Sequence, residues 1–254
     1  MSEPSTAKIS SGRPIECRLL ATRREFEEAV GLQKRIWGFE DIELLPLRLF
    51  VVASKIGGHS FGAYDGEEMI GFCIAIPGLK SGGHNYLHSH MLGVLPGYDN
   101  RGVGRRLKLA QREDALARGV ELMEWTFDPL ELKNAYFNME RLGAIVRRYV
   151  DNQYGTTSSP LHGGLPTDRC VAEWWMGSER VRGVLAGAPP ARTVEERIGI
   201  PADIAALRRR DPKLARAIQK EAGDRFRECF ARGLAVIGFE RTETKGTYLL
   251  GPWK

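Results

Sequence analysis

The stretch Leu92-Gly93-Val94-Leu95-Pro96-Gly97-Tyr98-Asp99-Asn100-Arg101-Gly102-Val103-Gly104, followed by the apolar-periodic Leu107, Leu109 and Ala110, decides the fold. It reads as a strand, a glycine-rich loop and the start of a helix. Gly102 and Gly104 let the backbone approach a ligand closely. The N–H groups of a first helical turn lie at the positive end of the helix dipole, where an anion is favoured. Arg101, Arg105, Arg106 and Lys108 are expected to add mobile positive charge at the same place. Glycines between a strand and a helix can also be a plain turn, so the reading leans on the elements downstream of the loop. After a helix running to Gly119 comes an apolar strand, Glu121 to Phe127. A second helix then starts at Glu131 and closes at Arg141-Leu142-Gly143-Ala144.

This order of elements resembles the acyl-CoA site of the GCN5-related N-acetyltransferase (GNAT) superfamily. Val94-Leu95-Pro96 is similar to its V-x-P strand end, and Asn100 to Gly104 match most of the glycine-rich loop that comes next. The strand and the helix closing in Leu-Gly-Ala are similar to its next motif. Asp99 departs from the pattern, standing where the superfamily has Arg or Gln; a carboxylate there repels a pyrophosphate unless it points away. The resemblance implies a fold of class α/β (α+β), a mixed central β-sheet flanked by helices over residues 15–178. It also implies acetyl-CoA as co-substrate. The pyrophosphate would sit on Asn100, Arg101, Gly102, Val103, Gly104 and Arg105. The oxyanion and pantetheine amides would meet the backbone N–H groups of Leu92 and Val94, with Gly93 between them allowing a local bulge.

Acyl transfer to an amine needs a base and donors for the oxyanion. His88 and His90 lie two apart on the strand before the loop, on one face, and imidazoles change charge near neutral pH. In the serotonin N-acetyltransferase branch a His-x-His pair is similarly placed, which implies that His88 and His90 are catalytic; the other reading makes them buried structural residues. The position at which the superfamily often has a tyrosine acid is Met139 here. Tyr136, three residues earlier, is the substitute, unless the thiol leaves unaided. Asn134 and Asn138, four apart on the second helix, would form one polar face toward the pantetheine arm or a solvated surface. The superfamily's usual asparagine position corresponds to Leu132. Asp168 and Arg169 are read as a surface pair or as part of an acceptor loop, His59 and His84 as solvent-exposed, and Arg208 to Arg210 as a solvated helix face.

With 254 residues, 43% hydrophobic and 27% charged, the chain has the composition of an ordinary globular protein. No apolar run approaches membrane-spanning length and no signal core is visible, so the expectation is a cytoplasmic protein without a membrane partner. The four cysteines are scattered, with no metal-ligand spacing, and read as reduced and structural. A net charge of +5 suits a polyanionic ligand, and CoA satisfies it without nucleic acid.

Residues 1–14 read as a flexible arm, 15–178 as the acyltransferase domain and 179–192 as a linker. Residues 193–254 read as a helix and β-hairpin extension packed on that domain. In the extension, Leu214, Ile218, Ala222, Phe226 and Phe230 mark an amphipathic helix. The function expected is acyl-CoA-dependent N-acyltransfer, with acetyl-CoA as donor and the amine of a small molecule or peptide as acceptor. The alternative is a non-catalytic acyl-CoA-binding or protein-interaction module that keeps the fold. A homodimer is left open. Binding of nucleic acid by the basic C-terminal helix is the third and least supported reading.

Overall fold

The structure is a computed structural model that describes residues 14–155 and 165–253. The chain divides into two compact units, one ending at Val120 and the other beginning at Glu121. Most of the expected arm, and residues 156–164, lie outside the described residues.

The first unit runs β1 (Glu16–Leu19), α1 (Arg23–Trp37), a short 3₁₀ turn (Asp41–Glu43), α2 (Leu47–Lys55), β2 (His59–Asp65), β3 (Glu68–Leu79), β4 (Asn85–Val94) and α3 (Val103–Ala117). Its four strands pair in chain order, each antiparallel to the next. Helix α1 starts where a capping box satisfies its first amides. The Glu25 N–H donates to Thr22 Oγ1 at 3.3 Å, and the Thr22 N–H donates back to Glu25 Oε2 at 2.9 Å. It stops at Gly38, which takes the left-handed conformation at φ 68°. Its inner face meets the sheet through Trp37 edge-on to Phe72, and α2 adds Phe50 at 6.0 Å from the same ring. Between these helices the buried Gln33 side chain closes both backbone groups of Leu45, at 3.0 and 2.8 Å, so the α1–α2 connection carries no unpaired amide there.

The β3–β4 ladder contains the feature that shapes the unit. Pairing runs regularly from Leu79 with Asn85 to Ala75 with Ser89, then jumps to Ile74 with Met91, leaving His90 as an extra residue. An extra residue shifts every later side chain to the other face. Before it, Ser89 faces α3 and accepts a hydrogen bond from Lys108 Nζ at 2.7 Å. After it, Leu92 faces α3, 3.4 Å from where a Cβ on Gly104 would lie, while Gly93 faces α1. The bulge expected at Gly93 is therefore two to three residues earlier. Gly93 has another role: a Cβ there would come within 2.7 Å of the Trp37 ring. Strand β3 continues through Pro77 to Leu79.

The second unit runs β5 (Leu122–Phe127), α4 (Leu132–Tyr136), a π-helical turn (Phe137–Arg141), β6 (Ile145–Val150), β7 (Arg169–Trp175), α5 (Glu179–Leu185), β8 (Glu196–Pro201), α6 (Ile204–Arg210), α7 (Pro212–Ala231), β9 (Leu234–Arg241) and β10 (Lys245–Pro252). Its strands are ordered β5-β7-β6-β9-β10-β8, with antiparallel pairs. The stretch read as a linker is structured in its first half. Ser178 caps α5, and Val181 and Val184 are buried by it, an apolar pair on one face that outweighs the flanking glycines. Strand β8 has no counterpart in the sequence reading, and of α6 the sequence reading has only the helical Arg208 to Arg210. Helix α7 turns a face rotated by about one residue from the expected stripe, burying Ala215, Gln219, Ala222, Phe226 and Cys229 and leaving Leu214 exposed.

Residues 193–253 brace the segment around α4, together with two arginines just before them. Arg208, expected on a solvated face, has a side chain 6% exposed and its Nη2 lies 2.6 Å from Asp128 Oδ2, with Nη1 at 3.2 Å from Glu131. Arg192 grips Glu140 through two hydrogen bonds of 2.7 and 2.8 Å, and Glu140 also accepts the Phe239 N–H. The Tyr248 hydroxyl donates to the Pro129 carbonyl at 2.6 Å. Arg180 donates to the carbonyls of Gly143 and Ile237.

Two stability measurements test these buried charges. Burial pulls the Lys108 ammonium down from 10.5 to about 7. Between these values the unfolded chain holds a proton that the native protein has released, so stability rises with pH across that window, by up to roughly 1.4 kcal/mol per pH unit. Urea unfolding from pH 6 to pH 10 shows this rise, and Lys108→Met flattens it. Arg208→Ala strands the buried Asp128 carboxylate and lowers stability by about 3–5 kcal/mol in the same assay; a loss below about 1 kcal/mol contradicts the brace.

Candidate functional site

The loop from Leu95 to Gly102 turns through three positive-φ residues, Gly97 (91°), Asn100 (61°) and Gly102 (76°). Asn is the side chain that best tolerates this region, and glycine adopts it without strain. The turn delivers the chain to α3 with Gly102 at the N-cap, a residue that has no side chain to accept from the first amides. A Cβ on Gly97 or Gly102 would meet no heavy atom within 4 Å, so the backbone lies open there. The start of a 15-residue helix with glycine at its N-cap suits a pyrophosphate.

The charges around this helix end differ from expectation. Arg101 is exposed and its guanidinium lies 5.1 Å from the Tyr98 ring, whose hydroxyl donates to Asp65 at 3.0 Å. Arg105 is half-buried in the first turn. Arg106 is committed, its Nη1 donating to the Ile15 carbonyl at 2.9 Å. Lys108 is buried beneath the sheet and supplies no mobile charge, because its position in α3 turns it inward beside Leu107. Asp99 is exposed.

Directly after β4, the Leu95 N–H donates to the carbonyl of Ile70, on β3. Successive strand amides point to opposite edges, so the Leu92 and Val94 N–H groups are directed to the edge away from β3. His88 and His90 stand with ring centroids 6.0 Å apart. His88 is half-buried and His90 exposed. Nearby protein atoms still displace enough water to hold the His90 imidazole below its ordinary 6.5.

In the second unit, Tyr136 is 42% exposed at the end of α4. Asn134 is exposed too, but Asn138 is buried and its Oδ1 accepts the Trp125 indole N–H at 3.2 Å. The expected shared polar face is absent because the winding changes from α to π between these residues, and Asn138 is spent on the core. Met139 and Leu132 are core residues. Asp168 and Arg169 are buried rather than a surface pair. Asp168 accepts from the Tyr149 hydroxyl and the Asn152 N–H, while Arg169 donates to the Asp168 carbonyl and lies over Tyr154.

Other groups escape a reading of the sequence. His59, expected in solvent, is 2% exposed with Nδ1 2.6 Å from Asp114 Oδ2; burial is the main cause of its lowered pKa. Glu124 and Glu173 face each other across β5 and β7, both buried, with Arg148 and Arg147 at 2.6 Å. A glycine pair before His59 reads as a loop, and lone charges in strands carry no spacing signal. Burial raises the Cys73 thiol to about 12, and all four cysteines are free. Among the described residues no cluster of His, Cys, Asp or Glu is suited to a metal ion, and no helix is long and apolar enough to cross a membrane.

Comparison with known proteins bears on the family. The Salmonella typhimurium protein yncA, solved with its cofactor acetyl-CoA, is 14% identical, with a TM-score of 0.52 over 70% of this chain and 99% of that one. NAA60 from Arabidopsis thaliana, in complex with a bisubstrate analogue, is 16% identical, with a TM-score of 0.51 over 64% and 99%. The ribosomal-protein-S18-alanine N-acetyltransferase from Escherichia coli is 18% identical, with a TM-score of 0.50 over 65% and 97%. At these identities the likeness is one of mixed α/β fold. No curated protein matches the sequence. The model of the acetyltransferase (GNAT) family matches residues 23–143, spanning α1, the glycine-rich loop and the Leu142-Gly143 turn. By this match, on this fold, residues 23–143 belong to the acetyltransferase (GNAT) family, whose co-substrate is acetyl-CoA.

Proposed function

We propose that this chain is an N-acetyltransferase that moves the acetyl group of acetyl-CoA directly to the amine of a small molecule or peptide. The observation that carries the reading is the start of α3 with glycine at its N-cap, reached through Asn100 and Gly102 in the left-handed region, directly after a strand bearing two adjacent imidazoles. The amides of Gly102 to Arg105, with Arg101 and Arg105 beside them, hold the pyrophosphate. The outward N–H groups of Leu92 and Val94 receive the pantetheine amide and the carbonyl oxygen that gains charge during transfer.

His90 supplies the base. Its lowered pKa keeps it neutral at pH 7, with a lone pair able to take the proton that the attacking amine must lose, and His88 relays it. The buried Met139 cannot act as an acid. The CoA thiolate is a fair leaving group by itself, with a thiol pKa of about 8.5 for a free thiol, so Tyr136 is not required for its departure.

The test is His88→Ala/His90→Ala. Its kcat with an accepted amine falls by about 10²-fold or more, the usual scale of general base catalysis, while calorimetric acetyl-CoA affinity stays within about twofold. The wild-type kcat/KM rises with pH through an acid limb below 6.5 that the double variant lacks. Unchanged turnover in the variant removes these histidines from the mechanism.

A further inference from the structure

The interior between the sheet of the first unit and α3 holds a polar row that the acetyl-transfer reading does not use. Directly opposed residues share a face, so the ladder His59–Ala75–Ser89 places His59 and Ser89 on one side of the sheet, two strands apart with only an alanine between. Above them α3 presents Lys108, Gln111 and Asp114, with Arg118 just past its end, each three or four residues after the last and therefore along one stripe. Lys108 Nζ donates to Ser89 Oγ at 2.7 Å, and the Ser89 hydroxyl donates onward to Gln111 Oε1 at 3.1 Å. Asp114 Oδ2 pairs with His59 Nδ1 and with Arg118. Lys108, Ser89 and Gln111 are all buried, none more than 4% exposed. The thiol of Cys73, on β3, is the other titratable group felt by Lys108.

An apolar residue at position 108 would fill this space without the cost of burying an ammonium, so the lysine needs a reason other than stability. Its partner stands at an informative place. Ser89 is the last regularly paired residue before the bulge and lies between His88 and His90. A bulge can sit at neighbouring positions at little backbone cost, but each one-residue move turns the intervening side chain to the other face. Were the extra residue one or two positions earlier, the Ser89 hydroxyl would leave α3. Lys108 and Gln111 would lose this partner inside the protein, and leaving buried donors and acceptors unpaired is strongly disfavoured.

We infer that Lys108, through Ser89, is a register lock that fixes the β4 bulge at His90 and so positions both imidazoles on the face away from α3. Lys108 and Ser89 are positioning residues, and touch neither substrate. The catalytic half of this inference rests on the acetyl-transfer reading; the register half stands on the fold alone.

The experiment compares the wild type, Lys108→Met and Ser89→Ala by amide exchange and by kinetics. Lys108→Met keeps the volume and removes the donor, and is expected to be at least as resistant to urea at pH 6 as the wild type. In both variants the amides of residues 86–92 exchange at least about tenfold faster, while those of β2 are unchanged. The kcat falls at least about tenfold with the acetyl-CoA KM within about twofold. Wild-type exchange at 86–92 overturns the lock, and wild-type kcat with altered exchange overturns its catalytic half. Should Lys108→Met fail to fold, Ser89→Ala, which deletes one oxygen, decides by the same two readouts. A wild type that acetylates no amine defeats the acetyl-transfer reading, and the exchange data then judge the lock alone.

Discussion

One extra residue in β4 governs the first unit. An antiparallel ladder cannot absorb it without inverting which side of the sheet each later residue faces. Up to Ser89 the strand turns a hydroxyl toward α3; from Leu92 onward it turns an apolar side chain there and a glycine toward Trp37. The same inversion directs the amides of Leu92 and Val94 to the edge away from β3. It also leaves His90 without a pairing partner in β3, beside His88. The loop, the helix start and the two histidines are thus set by one register choice, which a buried polar bond holds at the expense of stability.

The second unit solves a different problem. Its α4 is only five residues long and passes into a π turn, which is a poor helix by itself. Arginines 180, 192 and 208 and the Tyr248 hydroxyl reach it from outside and close its carbonyls and carboxylates. Residues beyond the family match therefore support the part of the family domain that lies in this unit. The extension has its own strands, β8 to β10, and adds them to the β5-β7-β6 sheet through Val146 and Val236.

Much of this was legible in the sequence. The glycine-rich turn after a V-x-P strand end and the Leu-Gly-Ala closure each have a local cause, and local causes show in a single chain. What stayed hidden depended on contacts distant in sequence. Nothing near Lys108 distinguishes it from Arg105 or Arg106 as a surface cation, since its partner Ser89 is 19 residues away. Arg208 looked solvated because its partner Asp128 is 80 residues distant. A bulge is expected at Gly93 because glycine is the usual mark of an irregular strand; here the glycine makes room for Trp37 instead. Asn138 is easily misread because a π turn leaves no mark on hydrophobic spacing.

The functional account turns on the start of α3 binding the pyrophosphate of acetyl-CoA, despite the exposed Asp99 in the preceding loop. The most direct measurement is a calorimetric titration of the full chain with acetyl-CoA, repeated with Gly102→Val, which puts a branched side chain at φ 76° where the open backbone lies. The account predicts micromolar binding to the wild type and a loss of at least about tenfold in affinity in the variant. No binding to the wild type, or equal binding to both, would contradict it.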